Sequence, residues 1–235
     1  MSMLRILSGG AAQGVVNALG PEFQEQTGLA IHGTFGAVGA MRAKLLSGEA
    51  ADLVILTSAL VADLAREGHL AGTGADLGEV QTSVAVRSGD SAPSIVDADS
   101  LRAALLESDG IYFPDPEQAT AGIHFAGVLE KLGVRSRLAD RLKTFPNGAT
   151  AMRELAASRA AHPIGCTQTT EILNTPGVTL VAPLPKGCDL ATVYTAAICA
   201  NAAHLEAARR FIALLTGDRA RELRARVGFI ERGRR

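Results

Sequence analysis

Short apolar runs alternate with amphipathic stretches along the first third of the chain, and this pattern predicts alternating strands and helices. The runs Leu4–Leu7, Leu29–His32 and Ala51–Leu56 have the length and composition of buried strands. A small or glycine-rich loop and then a stretch with helical spacing follow each of them. Ala51–Leu56 is apolar at nearly every position, which is typical of a parallel strand buried on both faces. Three such units predict a doubly wound α/β domain around a parallel sheet.

Beyond this region the pattern predicts a second domain. Val80–Arg87 and Thr192–Cys199 are predicted to be strands that carry the chain out of the first domain and back into it. A further set of strand–helix units lies between them, centred on Ile111–Phe125. We therefore predict two α/β lobes with a ligand cleft between them. The first lobe comprises 1–82 and 195–235, and the second comprises 83–194.

The turn within Ile111–Phe125 has the features of an anion site. Thr120 is predicted to cap a helix that begins with small residues, which leaves its first amides and the positive end of its dipole open to a ligand. Similar turns recur at Ser8–Ala11 and Gly36–Gly39. Ligands of open parallel sheets bind beyond the carboxyl ends of the strands. These loops therefore predict an anion-binding site.

Composition and motifs exclude several other classes of protein. A hydrophobic content of 47% over 235 residues excludes global disorder, and a net charge of −1 with no tryptophan argues against a nucleic-acid partner. No apolar run approaches the ~18 residues of a membrane span. Gly36–Gly39 does not fit a dinucleotide-binding motif, and Cys166, Cys188 and Cys199 lack the spacing of metal ligands. We therefore expect no cofactor and no metal.

The start of the chain leads to two expectations about compartment. Met1 is followed almost at once by the first predicted strand, without the pattern of a signal peptide. The sequence as written therefore predicts a cytoplasmic protein. If a leader has been removed, a periplasmic protein is expected instead.

Four stretches together point to a family. They read L-R-I-L-S-G-G-A-A, T-F-G-A-V-G-A-M-R-A-K-L-L-S-G-E-A-A-D-L-V-I-L, T-A-G-I-H-F-A, and P-L-P followed by V-Y. This order resembles the ModA-like molybdate-binding proteins, from Leu4 to about Ile230. The resemblance implies the type II periplasmic-binding-protein fold, in which two doubly wound lobes joined by two crossing strands close over an oxyanion. It also implies an ABC transporter permease as partner, if the protein is exported.

The resemblance and the strand exits together nominate ligand-binding positions. In the family, the first two loops usually supply serine hydroxyls, whereas this chain has Gly9-Gly10-Ala11 and Gly36-Ala37-Val38. Each missing donor costs roughly 1–3 kcal/mol. We therefore expect a small organic anion, a carboxylate rather than molybdate. The predicted ligand-binding residues are Ser8, Gly9, Gly10, Ala11, Gly36, Ala37, Val38, Thr57, Thr120, Ala121, Gly122, Gln168 and Tyr194.

A second hypothesis assigns chemistry to the same cleft. The chain is also similar to aconitate isomerase, which moves a proton on an unsaturated carboxylate. Such a reaction needs a base near an acidic C–H. His124, in the first turn of the predicted Thr120 helix, is the candidate catalytic base because the ordinary pKa of histidine is near neutrality. The alternative is a packed helix histidine, and the sequence leaves enzyme and binding protein both open.

Overall fold

The computed structural model describes residues 3–231, and strands and helices alternate along most of this range. The strands are β1 (Met3–Gly9), β2 (Ala30–Gly36), β3 (Leu53–Thr57), β4 (Ala75–Arg87), β5 (Gly110–Pro114), β6 (Leu142–Phe145), β7 (Pro163–Gln168), β8 (Val178–Pro183) and β9 (Ala191–Ile198). The helices are α1 (Gln13–Thr27), α2 (Val38–Leu46), α3 (Ser58–Arg66), α4 (Ala98–Glu107), α5 (Thr120–Lys131), α6 (Gly148–Ala156), α7 (Thr169–Leu173), α8 (Leu205–Thr216) and α9 (Arg221–Arg226). No helix among the described residues is long and apolar enough to cross a membrane.

The chain divides into two compact units. One is formed by the chain up to Val80 and from Thr192 onward, and the other by Gln81–Ala191. The first division falls inside β4, and the second follows the first residue of β9. Two strands therefore carry the chain from one unit to the other.

In the first unit, β1, β2 and β3 run parallel and β9 pairs antiparallel with β3. All five residues of β3 are buried, as its continuous apolar pattern predicts. The strand predicted at Leu29–His32 continues to Gly36, because its backbone pairs with β1 as far as Gly9. Backbone pairing needs no side chain, so glycines do not end this strand. Gly28 closes α1 in the left-handed conformation, with φ 71°.

In the second unit, β5 pairs in parallel with β6 and β7, and β4 pairs antiparallel with both β7 and β8. The side chains of β5 alternate between two cores. Ile111 and Phe113 join the apolar cluster of α4 and α5, whereas Tyr112 joins Met152 and Leu155 of α6. Helices thus cover both faces of this sheet, which is the doubly wound arrangement.

The start of α5 differs from the prediction. Ala119, with φ −101° and ψ 126°, is the N-cap, and its side chain makes no capping bond. Thr120 is the first helical residue, so its predicted role as the cap is wrong. The preceding turn is instead organised by Asp115, whose Oδ1 accepts the amides of Glu117 and Gln118 at 2.7 and 3.0 Å.

Candidate functional site

The strand exits of the first unit bring several predicted residues together. Gly9 at the end of β1 lies opposite Gly36 at the end of β2, and Thr57 lies opposite Tyr194 of β9. A Cβ placed on Gly9 would lie 2.8 Å from Cγ1 of Val38 and 3.1 Å from Cε1 of Tyr194. The absence of a side chain at Gly9 therefore allows Val38 and Tyr194 to pack against this strand end.

Backbone amides are the hydrogen-bond donors that the same region offers. A 3₁₀ turn follows β1, α2 begins one residue after β2, and α3 begins directly after β3. The Ser8 hydroxyl donates to the Gly9 carbonyl at 2.8 Å, so its proton is already used by the backbone. Ala11 and Ala37 are buried and have apolar side chains. Gly10, between Gly9 and Ala11, is half-buried.

Thr57 caps α3 in this region. Its Oγ1 accepts the amide of Leu60 at 3.4 Å, while its own backbone is extended. The hydroxyl proton is not consumed by that bond, because a hydroxyl can accept and donate at once. The capping bond therefore holds the Thr57 hydroxyl in a fixed position at the end of β3, with its proton available to a ligand.

In the second unit, the start of α5 packs closely on its own entry loop. Thr120 is half-buried, and Ala121 and Gly122 are buried. A Cβ on Gly122 would clash with the backbone carbonyls of Pro114 and Asp115. The packing of the helix on this loop therefore explains why residue 122 is a glycine.

His124 lies in the second turn of α5 and contacts the segment before β9. Its Nε2 is 2.7 Å from the carbonyl oxygen of Cys188, and Lys131 on the same helix donates to the carbonyl of Gly187. A carbonyl only accepts, so Nε2 carries a proton and Nδ1 is the nitrogen with a lone pair in the neutral ring. This contact supports the packed-helix alternative, and it leaves Nδ1 as the atom for any acid–base role.

The exit of β7 holds an unusual pair of buried polar side chains. Gln168 is the last residue of β7 and is 3% exposed, and Thr82 lies directly opposite it in β4 and is 1% exposed. Within residues 3–231, neither Nε2 nor Oε1 of Gln168 has a hydrogen-bond partner, and neither does Oγ1 of Thr82. Gln168 is among the predicted residues, whereas Thr82 is not, because only strand pairing places it here.

A buried carboxylate supports the backbone behind Gln168. Glu171 accepts the Thr167 hydroxyl at 2.5 Å and also the backbone amides of Gln168, Gly148 and Ala149. Burial raises the pKa of Glu171, although these hydrogen bonds oppose the shift. The first two amides of α6 therefore already bind the carboxylate of Glu171. An acidic residue three positions after a helix cap is the sequence signal that predicts the contact of Glu171 with the Gln168 amide, whereas its contact with α6 depends on tertiary packing.

Other candidate groups lie away from these strand exits or are already paired. A pocket of about 460 Å³ in the second unit is lined by Asp90, His162 and Pro163, at the opposite end of β7 from Gln168. Arg42 is paired with Glu67 at 3.0 Å. The described residues contain no group of three or more His, Cys, Asp or Glu side chains that could hold a metal ion. The three cysteines are buried and unpaired.

Comparison with known proteins adds family and fold. Residues 4–230 match the model of a family described as bacterial extracellular solute-binding protein. The chain is 23% identical over 228 residues to an aconitate isomerase from a Pseudomonas species, covering 92% of this chain and 82% of that protein. Its fold resembles the periplasmic molybdate-binding protein of Azotobacter vinelandii, with a TM-score of 0.81, 18% identity, and coverage of 98% of this chain and 100% of that one. It also resembles the sulfate-binding protein SubI of Mycobacterium tuberculosis H37Rv, with a TM-score of 0.75, 20% identity, and coverage of 97% and 86%.

Proposed function

This chain belongs to the bacterial extracellular solute-binding protein family, and we propose that it binds a small organic carboxylate through amides at its strand exits. The similarity to the molybdate-binding protein confirms the predicted resemblance to ModA-like proteins and the predicted type II periplasmic-binding-protein fold. The proposal is carried by one observation. The exits at Gly9, Gly36 and Thr57 lie on neighbouring strands, and a helical turn begins within two residues of each exit.

The chemistry of this region favours an anion whose charged groups each need few hydrogen-bond donors. Helix N-termini present unpaired amides and a partial positive charge, which together stabilise negative charge. The loops Gly9-Gly10-Ala11 and Gly36-Ala37-Val38 supply no hydroxyls, and the Ser8 proton is used by the backbone. A desolvated tetrahedral dianion needs more charge-assisted donors than a carboxylate does. These features support a carboxylate over molybdate or sulfate.

Thermal unfolding in the presence of single anions tests this proposal. Ligand binding stabilises the folded state by RT ln(1 + [L]/Kd), which is about 2.7 kcal/mol at about 100 times Kd. Mono-, di- and tricarboxylates should raise the Tm, whereas molybdate, tungstate and sulfate at equal concentration and ionic strength should not. Strong stabilisation by molybdate or tungstate, with none by any carboxylate, would contradict the proposal.

A second candidate function is isomerisation of an unsaturated carboxylate. It is favoured by the likeness to aconitate isomerase, and the hydrogen bond to Cys188 uses only Nε2 of His124, so Nδ1 is the atom that would act as the base. Incubation with cis- or trans-aconitate in D₂O should then introduce deuterium next to the double bond, as detected by proton NMR. His124→Gln should lower this exchange by about 10²–10⁴ and largely preserve binding. An aconitate that binds without any exchange would reject this candidate.

Export and delivery to an ABC transporter permease complete the proposal. Support comes from the family, which is described as extracellular, and from the periplasmic molybdate-binding protein with the same fold. Cell fractionation should place the natural gene product with a periplasmic marker. Co-fractionation with a cytoplasmic marker would instead support an intracellular enzyme or sensor.

A further inference from the structure

We propose that Gln168 and Thr82 recognise a hydroxyl group, so that the ligand is a hydroxycarboxylate. This inference rests on the proposed function and narrows its ligand class. It starts from the two buried side chains at the exit of β7, whose polar atoms have no partner within the described part of the chain.

The strand register places these side chains next to one another. Gln168 and Thr82 are directly opposed in the antiparallel β4–β7 pair, so their side chains leave the same face of the sheet. Thr82 donates its amide to Leu190 and accepts the amide of Leu184 with its carbonyl, at 2.9 and 3.0 Å. Its backbone therefore bonds away from β7, which makes this a non-hydrogen-bonded pair, the type in which opposed residues approach most closely.

The residues on either side of Gln168 are engaged in hydrogen bonds, whereas the buried Thr170 hydroxyl, two residues further along, shares the lack of a partner within the described residues. The backbone amide of Gln168 and the hydroxyl of Thr167 both donate to Glu171. Thr169 lies 2.6 Å from the Ser83 hydroxyl and donates to a backbone carbonyl at 2.9 Å. The backbone on either side of Gln168 is thus held by hydrogen bonds, which keeps its side chain in a defined place.

The chemistry of a primary amide determines what can satisfy it. One end of Gln168 accepts hydrogen bonds and the other end donates them, whichever way the amide is turned. A fully ionised oxyanion only accepts, so it would satisfy Nε2 and leave Oε1 buried without a donor, at a cost. A hydroxyl beside a carboxylate satisfies both ends, because the hydroxyl donates to Oε1 and a carboxylate oxygen accepts from Nε2. The Thr82 hydroxyl adds a further donor and acceptor.

The test compares acids that share a carbon skeleton and differ by one hydroxyl. Malate with succinate, lactate with propionate and citrate with tricarballylate are titrated calorimetrically into the purified full chain. Sites built to bond a hydroxyl discriminate against analogues that lack it. We expect the hydroxylated member of at least one pair to bind at least about tenfold more tightly. Gln168→Leu and Thr82→Val should each bring this ratio close to one.

Gln24→Leu, at an exposed position of α1, is the matched control and should keep the wild-type ratio. Circular dichroism and the Tm of each variant establish that it is folded. Carboxylates that bind equally well with and without a hydroxyl would overturn this inference and leave the proposed function standing. The same conclusion holds if the ratio survives in both variants. Binding of molybdate or sulfate alone, or of no anion at all, would overturn the inference and the proposed function together.

Discussion

The strand exits of the two units differ in what they offer to a ligand. In the first unit, Gly9 and Gly36 end neighbouring strands, and Val38 and Tyr194 pack against Gly9. The donors there are backbone amides and the Thr57 hydroxyl, whose proton is not used by its capping bond. In the second unit, the exit of β7 ends in Gln168, whose amide side chain is buried without a partner in the described chain.

This difference separates the binding of negative charge from the selection of a particular chemical group. Backbone amides and helix ends favour negative charge of almost any shape, and they do not titrate. Side chains such as Gln168 and Thr82 distinguish donors from acceptors and so select the chemical type of the ligand. The N-terminus of α6 takes no part in charge recognition, because Glu171 already occupies it. We therefore expect substitutions at Gly9 and Gly36 to change mainly anion affinity, and substitutions at Gln168 and Thr82 to change mainly the selectivity between ligands.

The largest expected effect concerns the polar packing of the second unit. A Cβ on Gly148 would clash with Glu171 Oε2 and Thr167 Oγ1, so Gly148→Ala should displace a buried carboxylate and lower the free energy of unfolding by about 3 kcal/mol. Urea denaturation measures this loss. Gly127→Ala is the control, since a Cβ there meets nothing within 4 Å and should stabilise α5 by about 0.5–1 kcal/mol. Equal effects of the two variants on the free energy of unfolding would show that Glu171 and Thr167 can move away from the added methyl group at little cost.

A smaller loss is expected from the corresponding glycine in the first unit. Gly9→Ala brings a methyl group against Val38 and Tyr194, side chains that can shift in part, so the loss of stability should be about 2 kcal/mol. Anion affinity should fall as well, because the methyl group alters the strand exit. Gly20→Ala in α1 is the matched control, with its nearest neighbour 3.9 Å away. Unchanged anion affinity in a folded Gly9→Ala variant would remove this strand end from the site.

Removal of the His124 side chain should have a more modest effect. His124→Ala deletes one hydrogen bond to the Cys188 carbonyl, which is worth about 1 kcal/mol. Urea denaturation of this variant is compared with that of His32→Ala, which changes an exposed histidine and should be nearly neutral. A loss no larger than that of the control would show that the contact does not hold α5 to its neighbouring segment.

The smallest expected effect is a pH dependence confined to the second unit. Burial raises the pKa of Glu171 above its ordinary value of 4.5, so the stability associated with this group is fully present below pH 4.5. It is lost as the pH rises through the folded-state pKa. The Tm of Glu171→Gln minus that of the wild type should therefore increase from about pH 4 to about pH 7. The exposed substitution Glu117→Gln should show no such trend, and a difference that fell with pH would reverse the assigned direction.

Much of the fold follows from local pattern. The apolar run that became β3 has no polar face, and its short length favours a strand covered on both sides, so a parallel α/β sheet follows from its neighbours. The placement of Gly9, Gly36 and Thr57 at one edge follows in turn, because successive parallel strands end on the same side. Local pattern was less reliable at the ends of elements. Threonine is a residue type that commonly caps helices, yet Thr120 is the first residue of α5. The N-cap is Ala119, and the carboxylate of Asp115 organises the preceding turn.

The sequence by itself determined the alternation of strands and helices in the first third of the chain and the set of small residues at the loops, whereas it did not predict β6 at Leu142–Phe145. Only the tertiary structure decided which polar groups are satisfied. The Cys188 carbonyl that accepts the hydrogen bond of His124 lies 64 residues away in the chain. Gln168 lies opposite Thr82 only because of the register of two antiparallel strands. Burial and hydrogen bonding depend on residues that are distant in sequence, and the chemistry of a binding site depends on both.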